Sequence, residues 1–280
     1  MTPRILITND DGIDSPGLRH LARAAARQGL DIVVAAPLTE ASGSGAAITA
    51  VEQNGKIVVQ RRELTGVRNV PAYGVAASPA FIVLLALRGA FGPPPTIVIA
   101  GVNRGANAGA SVVHSGTVGA TLTASHAGLH GLAVSLDVFT PANTISEDGG
   151  QAAGEPGQDD DEKRHWDSAA DLAIKLLPTL THTPVGTVLN LNVPDLHVDG
   201  IRGLRRAGLA RFGQVQMSIA EAGEGYVRTA VQAADEPIEP GTDLAALAEG
   251  YAVVTPIRSP AEATDVTFNL EAIVVQTPAI

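Results

Sequence analysis

Residues 4–17 read Arg-Ile-Leu-Ile-Thr-Asn-Asp-Asp-Gly-Ile-Asp-Ser-Pro-Gly, an apolar run that leads directly into two adjacent carboxylates, Asp10 and Asp11. The run predicts a buried strand. Gly12 permits a sharp turn, after which Pro16 is suited to the first position of a helix. The acid pair is therefore expected in a strand-to-helix turn, where neighbouring carboxylates stay ionised when they share a cation or are separated by hydrogen-bond donors.

Apolar strand-like runs alternate with helix-like segments along most of the chain. The predicted strands are 4–8, 31–36, 96–100, 131–136 and 187–191, and the predicted helices are 16–28, 79–88, 117–128 and 165–180. Such alternation is typical of an α/β fold, with a mostly parallel sheet and helices on both faces. Residues 50–62 instead predict a hairpin around Asn54-Gly55.

Two segments depart from this alternation. Residues 140–164 are rich in glycine, proline and acidic residues, which predicts an exposed, mobile loop, since the acids lack the ordered spacing of a calcium loop. After about residue 203 the alternation fades, and 204–280 are expected to form a C-terminal β extension with a last clear strand at 251–256. The predicted core is therefore 1–203.

Composition excludes several classes of function. The 280 residues carry a formal net charge of -10, which argues against a nucleic-acid duplex as partner, because phosphate backbones attract Lys/Arg-rich surfaces. Cysteine is absent, so disulfides and thiolate metal sites are excluded. No apolar run approaches about 18 residues, and the first residues do not resemble an export signal. We expect a soluble, cytoplasmic protein without membrane contact.

Polar residues follow three of the predicted strands. Asp10 and Asp11 follow the first strand, Ser42 comes after the second, and Asn103 after the third. The loops beyond the carboxyl ends of parallel strands converge where ligands bind. Two carboxylates, a hydroxyl and an amide carbonyl suit Mg²⁺, Mn²⁺ or Ca²⁺. Ordinary roles are also open to these residues, as a helix cap for the acids and as turn residues for Ser42 and Asn103.

The stretch His114-Ser115-Gly116-Thr117-Val118 comes just before a predicted helix. Backbone N–H groups at a helix N-terminus attract anions, so this stretch is a candidate phosphate site, with an ordinary turn as the alternative. His114 is a candidate acid or base for a leaving group, or a surface histidine without a role in chemistry.

Taken together, these motifs resemble those of the SurE survival-protein family. The segments that carry the resemblance are 7–12, 15–17, 34–37, 42–43, 101–109, 115–118, 190–194 and 241–243, in the same order along the chain. The resemblance implies a Rossmann-like catalytic core and a metal-dependent 5'-nucleotidase, that is, a nucleoside monophosphate phosphatase. It also implies that the C-terminal extension is exchanged between subunits of a homodimer or homotetramer.

The resemblance also implies roles for individual residues. It assigns one divalent cation per subunit, Mg²⁺ or Mn²⁺, with Ca²⁺ as a substitute in a crystal, to Asp10, Asp11, Ser42 and Asn103. It assigns contacts with the phosphate to Asn107, Ser115, Gly116 and Thr117. The chain departs from the family pattern at Ala100, where serine is usual, at His114, where tyrosine is frequent, and in the turn 74–79 before the second helix. These departures concern base and sugar preference more than the proposed metal ligands.

The expected reaction is hydrolysis of a nucleoside 5'-monophosphate, with 3'-monophosphates as further substrates and Asp10 or Asp11 orienting the attacking water. A covalent aspartyl-phosphate is disfavoured, because that route needs Asp-x-Asp and position 9 is Asn. The alternative from another class is a metal- or nucleotide-binding protein with little turnover. A dinucleotide-binding protein is disfavoured, because the first turn lacks Gly-x-Gly-x-x-Gly.

Overall fold

The computed structural model of the chain describes residues 3–138, 161–212, 215–223, 226–233 and 238–267. Most of the predicted mobile loop 140–164 lies outside these ranges. Every helix within the described ranges is too short or too polar to cross a lipid bilayer.

A nine-stranded sheet lies at the centre of the fold. Its spatial order is β10 (Leu204–Arg206), β13 (Ala252–Arg258), β9 (Thr187–Pro194), β8 (His130–Asp137), β7 (Ile97–Arg104), β1 (Arg4–Thr8), β2 (Asp31–Pro37), β6 (Ala72–Val75) and β5 (Val59–Arg62). The strands from β9 to β6 are parallel, whereas β5 and β13 run antiparallel to β6 and β9. The prediction of a mostly parallel α/β sheet is confirmed.

Helices cover both faces of this sheet. One face carries α1 (Pro16–Arg27) and α4 (Trp166–Thr181), and the other carries α2 (Pro79–Leu87) and α3 (Gly116–His126). Side chains of β1 alternate between the two cores, since Ile5 and Ile7 pack with α1 while Leu6 packs with α2 and α3. All four predicted helices are confirmed, with ends that differ by one or two residues.

The region between β2 and α2 departs from the prediction. The hairpin around Asn54 and Gly55 is confirmed but short, because only β3 (Glu52–Gln53) and β4 (Lys56–Ile57) pair there. The following strand, β5, instead joins the edge of the central sheet through β6. Residues 74 and 75 were predicted to lie in a turn, which is wrong, because they belong to β6.

Part of the segment beyond residue 203 also belongs to the central sheet. The predicted strand at 251–256 is confirmed as β13, which pairs with β9, and β10 pairs with β13. A short helix, α5 (Asp243–Ala248), precedes β13 and was not predicted. Between β10 and α5, the strands β11 (Val215–Gly223) and β12 (Tyr226–Ala233) form a separate antiparallel pair. The strands β10 and β13 therefore continue the sheet of the predicted core.

The start of α1 lies against the end of β7, and Gly17 makes this approach possible. A Cβ atom at position 17 would lie 2.0 Å from the carbonyl oxygen of Val102 and 3.1 Å from Cζ3 of the buried Trp166. Neither group has room to move away in a close-packed interior. Gly17 therefore sets the spacing between the turn after β1 and the end of β7.

We expect Gly17→Ala to lower the free energy of unfolding by about 1–3 kcal/mol, because the added methyl group overpacks this contact. Gly208→Ala is the matched control, since a Cβ there meets nothing within 4 Å, and it is expected to change stability by less than about 0.5 kcal/mol. Urea unfolding of both variants measures the difference. Equal stabilities would contradict the close approach of α1 and β7.

Candidate active site

The turn that carries the two acids is held in shape by Asn9, which is fully buried. Its side-chain carbonyl accepts a hydrogen bond from the N–H of Gly12 at 3.2 Å, and its amide donates to the carbonyl of Gly12 at 3.1 Å and to Oγ of Ser15 at 2.7 Å. Ser15 stands at the N-cap position of α1, but its hydroxyl serves Asn9 rather than the helix. The sequence analysis missed this role of Asn9; its signal was the position directly after a buried strand, at the start of a turn.

Asp10 is buried, with 3% of its surface exposed, and both of its carboxylate oxygens are bonded to Thr117. Oδ2 accepts from the N–H of Thr117 at 3.0 Å, and Oδ1 accepts from its hydroxyl at 2.5 Å. The same hydroxyl lies 3.5 Å from Oδ1 of Asn103. The N-terminus of α3 is thus fixed against Asp10 and Asn103, and Thr117, predicted to contact phosphate, contacts a predicted metal ligand.

Asp11 is less buried than Asp10 and faces the end of β7. Its Oδ2 accepts from the backbone N–H of Arg104 at 3.2 Å. The adjacent Asn103 donates its amide to the carbonyl of Gly105 at 2.8 Å, while its Oδ1 stays next to Thr117. Three of the four predicted metal ligands, on the neighbouring strands β1 and β7, are therefore brought together.

The fourth predicted ligand, Ser42, lies on an exposed loop beside the acid pair. Its hydroxyl donates to Oε1 of Glu40 at 2.7 Å, not to either aspartate. The loop itself is tied to the site, because the N–H of Ala41 donates to the carbonyl of Asp10 at 2.7 Å. Glu40 is a third carboxylate of this neighbourhood, and the sequence analysis did not single it out.

Burial raises the pKa of both aspartates. For Asp10, desolvation outweighs the bonds from Thr117 that favour the charged form. Desolvation and then repulsion from Asp10 raise the pKa of Asp11 to about 7, with the N–H of Arg104 acting in the opposite direction and Glu40 adding to the rise. These shifts record an excess of negative charge on buried oxygen donors, which is what a hard divalent cation offsets.

Carboxylates and imidazoles alone do not complete a cation site here. In the described ranges, no group of three or more histidine, cysteine, aspartate or glutamate side chains is placed to hold an ion. A cation at Asp10 and Asp11 therefore needs further oxygens from Asn103, from hydroxyls or from water, as Mg²⁺ commonly takes them.

The stretch predicted to bind phosphate is packed tightly around the start of α3. Ser115 caps the helix, since its Oγ accepts from the N–H of Val118 at 3.0 Å. A Cβ at Gly116 would lie 2.6 Å from Oγ of Ser44 and 2.8 Å from Oδ2 of Asp10, so only glycine fits there. The sequence analysis missed Ser44, whose hydroxyl is buried without a partner among the described residues.

Asn107 is held by side chains of β8 and β9. Its N–H donates to Oδ1 of Asn192 at 2.8 Å, and its carbonyl accepts from the amides of Asn190 and Asn192 at 2.7 and 3.0 Å. Its own side-chain amide donates to Oγ of Ser135 at 2.9 Å. The structure therefore places Asn107 in the loop after β7, with its backbone N–H and carbonyl in a fixed orientation.

His114 ends a 3-10 helix, Gly109–His114, and its side chain is exposed. Its carbonyl accepts from the N–H of Gly45 at 3.0 Å, which links this loop to the loop that carries Ser42. Its imidazole makes no hydrogen bond with any residue that the structure describes. His114 is accessible but is not oriented by the protein.

Comparisons with known proteins agree with this architecture. The family model described as Survival protein SurE matches residues 5–218. The 5'/3'-nucleotidase SurE of Shigella dysenteriae serotype 1 is 33% identical over 267 residues, covering 91% of this chain and 90% of that protein, and its counterpart in Escherichia coli O1:K1 is 32% identical over the same shares. The crystal structure of the SurE protein from Aquifex aeolicus has a TM-score of 0.70 at 24% identity, covering 94% of this chain and 96% of that chain, and supports the same fold.

Asp11→Asn is expected to stabilise the metal-free protein, and more so at pH 8 than at pH 5. The pKa of Asp11 rises from 3.8 to about 7 on folding, so wild-type stability falls as pH rises between these values and levels off above 7. Asparagine never ionises and escapes this loss. We expect a gain of up to about 4 kcal/mol at pH 8, since the pKa shift is about three units and each unit corresponds to about 1.4 kcal/mol.

Urea unfolding in the presence of a chelator measures this gain at both pH values. Asp14→Asn, in the same turn but exposed, is the matched control and is expected to change stability by less than about 0.5 kcal/mol. A gain for Asp11→Asn that does not depend on pH would contradict the buried charge.

Proposed function

Because the chain belongs to the SurE family, we propose that it is a divalent-metal-dependent 5'-nucleotidase that hydrolyses nucleoside monophosphates to nucleosides and phosphate. The names of the relatives, 5'/3'-nucleotidase, support this activity and support 3'-monophosphates as further substrates. The observation that carries the proposal is the buried pair Asp10 and Asp11 beside Asn103 and the N-terminus of α3. The cytoplasmic location and the homodimer or homotetramer stay predictions.

The residues present fit a hard divalent cation, Mg²⁺ or Mn²⁺. Asp10, Asp11 and Asn103 would hold it through oxygen atoms, and Ser42 would join them when its hydroxyl leaves Glu40. The raised pKa of Asp11 supports this fit, because a bound cation would offset the negative charge that burial makes unfavourable there. When bound, the cation would neutralise charge on the phosphate oxygens as it builds up in the transition state.

The hydrogen bonds of the two aspartates differ and support a different role for each. Both oxygens of Asp10 accept from Thr117, which leaves this side chain a fixed ligand. Asp11 accepts one bond, from the N–H of Arg104, and is nearer to solvent. Asp11 is therefore the residue that we propose orients the attacking water, which adds to phosphorus as the bond to the nucleoside oxygen breaks.

The N-terminus of α3 supplies a second source of positive potential. The N–H of Thr117 points at Asp10 from the first turn of this helix, so the positive end of the helix dipole lies at the acid pair. The same end favours an anion that approaches the pair from solvent. Gly116 keeps this end free of a side chain that would collide with Asp10.

We expect the wild type to release phosphate from nucleoside monophosphates with Mg²⁺ or Mn²⁺ and not with a chelator. Asp10→Asn is expected to lower kcat/KM by about 10²–10³-fold, because it removes a charged ligand, while Asp14→Asn leaves it unchanged. A panel of 5'- and 3'-monophosphates ranks the substrates. A folded wild type that binds Mn²⁺ but releases no phosphate would favour the alternative, a metal- or nucleotide-binding protein.

His114→Gln tests whether the exposed imidazole takes part in the chemistry. We expect kcat to change by less than about threefold and the acid limb of the pH–rate profile to stay in place, because none of the described residues makes a hydrogen bond with the imidazole of His114. General acid catalysis contributes about 10²–10⁴-fold. A loss of that size, with a shifted acid limb, would instead identify His114 as the proton donor to the leaving nucleoside.

A further inference from the structure

We infer that Asn192 is a positioning residue of the candidate active site, and that Asn190 and Asp243 assist it. Together these three side chains hold the loop 105–115, which joins β7 to α3. The inference rests on the proposed function, because this loop carries groups that are proposed to face the phosphate. It adds residues of β9 and of the C-terminal segment to the machinery of the site.

The side chain of Asn192 pairs with both backbone groups of Asn107, the N–H and the carbonyl. Its Oδ1 accepts from the N–H at 2.8 Å, and its Nδ2 donates to the carbonyl at 3.0 Å. One amide thus reproduces the pair of hydrogen bonds that a neighbouring strand makes. Asn190 adds a second donor to the same carbonyl at 2.7 Å. The orientation of the two peptide planes on either side of Asn107 is therefore set by β9 and not by the loop itself.

The two asparagines are placed for this task by the strand period. They are alternate residues of β9 and so point to the same face of the sheet, while Leu189 and Leu191 point into the core on the other face. Both amides are fully buried. Buried amides are costly unless they are hydrogen-bonded, and the bonds to Asn107 satisfy both ends of Asn192 and the donor of Asn190, whereas Oδ1 of Asn190 is buried without a partner among the described residues.

Asp243 fixes the same loop from the C-terminal side. Its Oδ2 accepts from the N–H of Gly109 at 2.8 Å, and its Oδ1 accepts from the N–H groups of Ala210 and Leu244, both at 2.9 Å. The carboxylate is fully buried, and Gly109 lies so close to the chain after β10 that a Cβ there would be 2.0 Å from the carbonyl oxygen of Phe212. The loop is thus held between β9 and the segment that leads into α5.

The hydrogen bonds from Asn192 and Asp243 fix the orientation of this loop as well as its position. Apolar packing would hold it in place, but hydrogen bonds to the N–H and the carbonyl of Asn107 also fix the rotation of the two peptide planes that flank this residue. The loop starts two residues after Asn103, a proposed ligand, and ends at Ser115, which caps α3. An error of about 1 Å in a positioning element costs up to about 10²-fold in rate. Loss of the bonds should therefore weaken phosphate binding and turnover while the acid pair keeps its cation.

The test compares Asn192→Asp with Leu189→Ala in the full chain. Asn192→Asp keeps the acceptor but turns an oxygen, instead of a donor, toward the carbonyl of Asn107. Leu189→Ala is the matched control, because it makes a cavity in the same strand on the other face without touching the loop. The readouts are the affinity for Mn²⁺, the affinity of the Mn²⁺-loaded protein for inorganic phosphate, and kcat and KM for p-nitrophenyl phosphate.

For Asn192→Asp we expect phosphate affinity and kcat/KM to fall by about 10- to 100-fold, with Mn²⁺ affinity within about threefold of wild type. Leu189→Ala should keep all three values near wild type. Amide hydrogen exchange at residues 107 and 109 should become faster in Asn192→Asp and not in the control. Asp243→Asn, which turns an N–H toward one of the three donors, should lower phosphate affinity in the same way.

Ser135→Ala keeps the test decisive if Asn192→Asp does not fold. It removes only the bond to the side chain of Asn107 and is expected to lower phosphate affinity by about two- to tenfold. Faster exchange with unchanged phosphate affinity would overturn the inference and leave the proposed function standing. A wild type without phosphatase activity would overturn the proposed function. The inference would still be decided in that case by comparing the phosphate affinity of the wild type with that of the variants. A wild type that binds Mn²⁺ but no phosphate would overturn the inference as well.

Discussion

Two like charges at the end of a buried strand are the constraint on which the rest of the site depends. Water is largely withdrawn from Asp10 and Asp11, and repulsion between them adds to the cost of ionising both. Hydrogen bonds from two separate places stabilise the carboxylates, the first turn of α3 for Asp10 and the backbone N–H of Arg104 for Asp11, while the side chain of Asn9 shapes the turn that carries them. These donors reduce the electrostatic cost without removing it, and the excess of negative charge that remains is what supports the proposed cation site.

The elements that the sequence predicted well are those whose environment is uniform along their length. Parallel strands buried on both faces, such as β1, are continuous apolar runs, and three of the four helices that cover them, α1, α2 and α3, begin at Ser-Pro or Ser-Gly signals. The strand β6 escaped prediction because it is only four residues long and contains Gly74. The place of β13 beside β9 is decided by contacts between distant segments, which local patterns do not record.

The same distinction holds for the candidate site. Asp10, Asp11 and Asn103 were expected to meet because the carboxyl ends of neighbouring parallel strands lie at one edge of a sheet, and the structure places them together. Which hydrogen bonds they make depends on rotamers and on partners far along the chain. The bond from Thr117 to Asp10 spans more than a hundred residues, and Ser42 faces Glu40 at a distance of two residues. The presence of a serine or threonine in a motif does not predict whether its hydroxyl bonds to a near or a distant partner along the chain.

The position of β13 between β9 and β10 has a consequence for synthesis on the ribosome. The chain emerges from its N-terminus, so β9 presents an open edge, with unpaired backbone groups, until residues 252–258 have been made. Asp243, which closes the loop after β7, also arrives late. Before these residues have been made, the chain already contains Asp10 and Asp11 but the edge of its sheet is open, and open sheet edges invite pairing with other chains. The last part of the sequence completes both the sheet and the site.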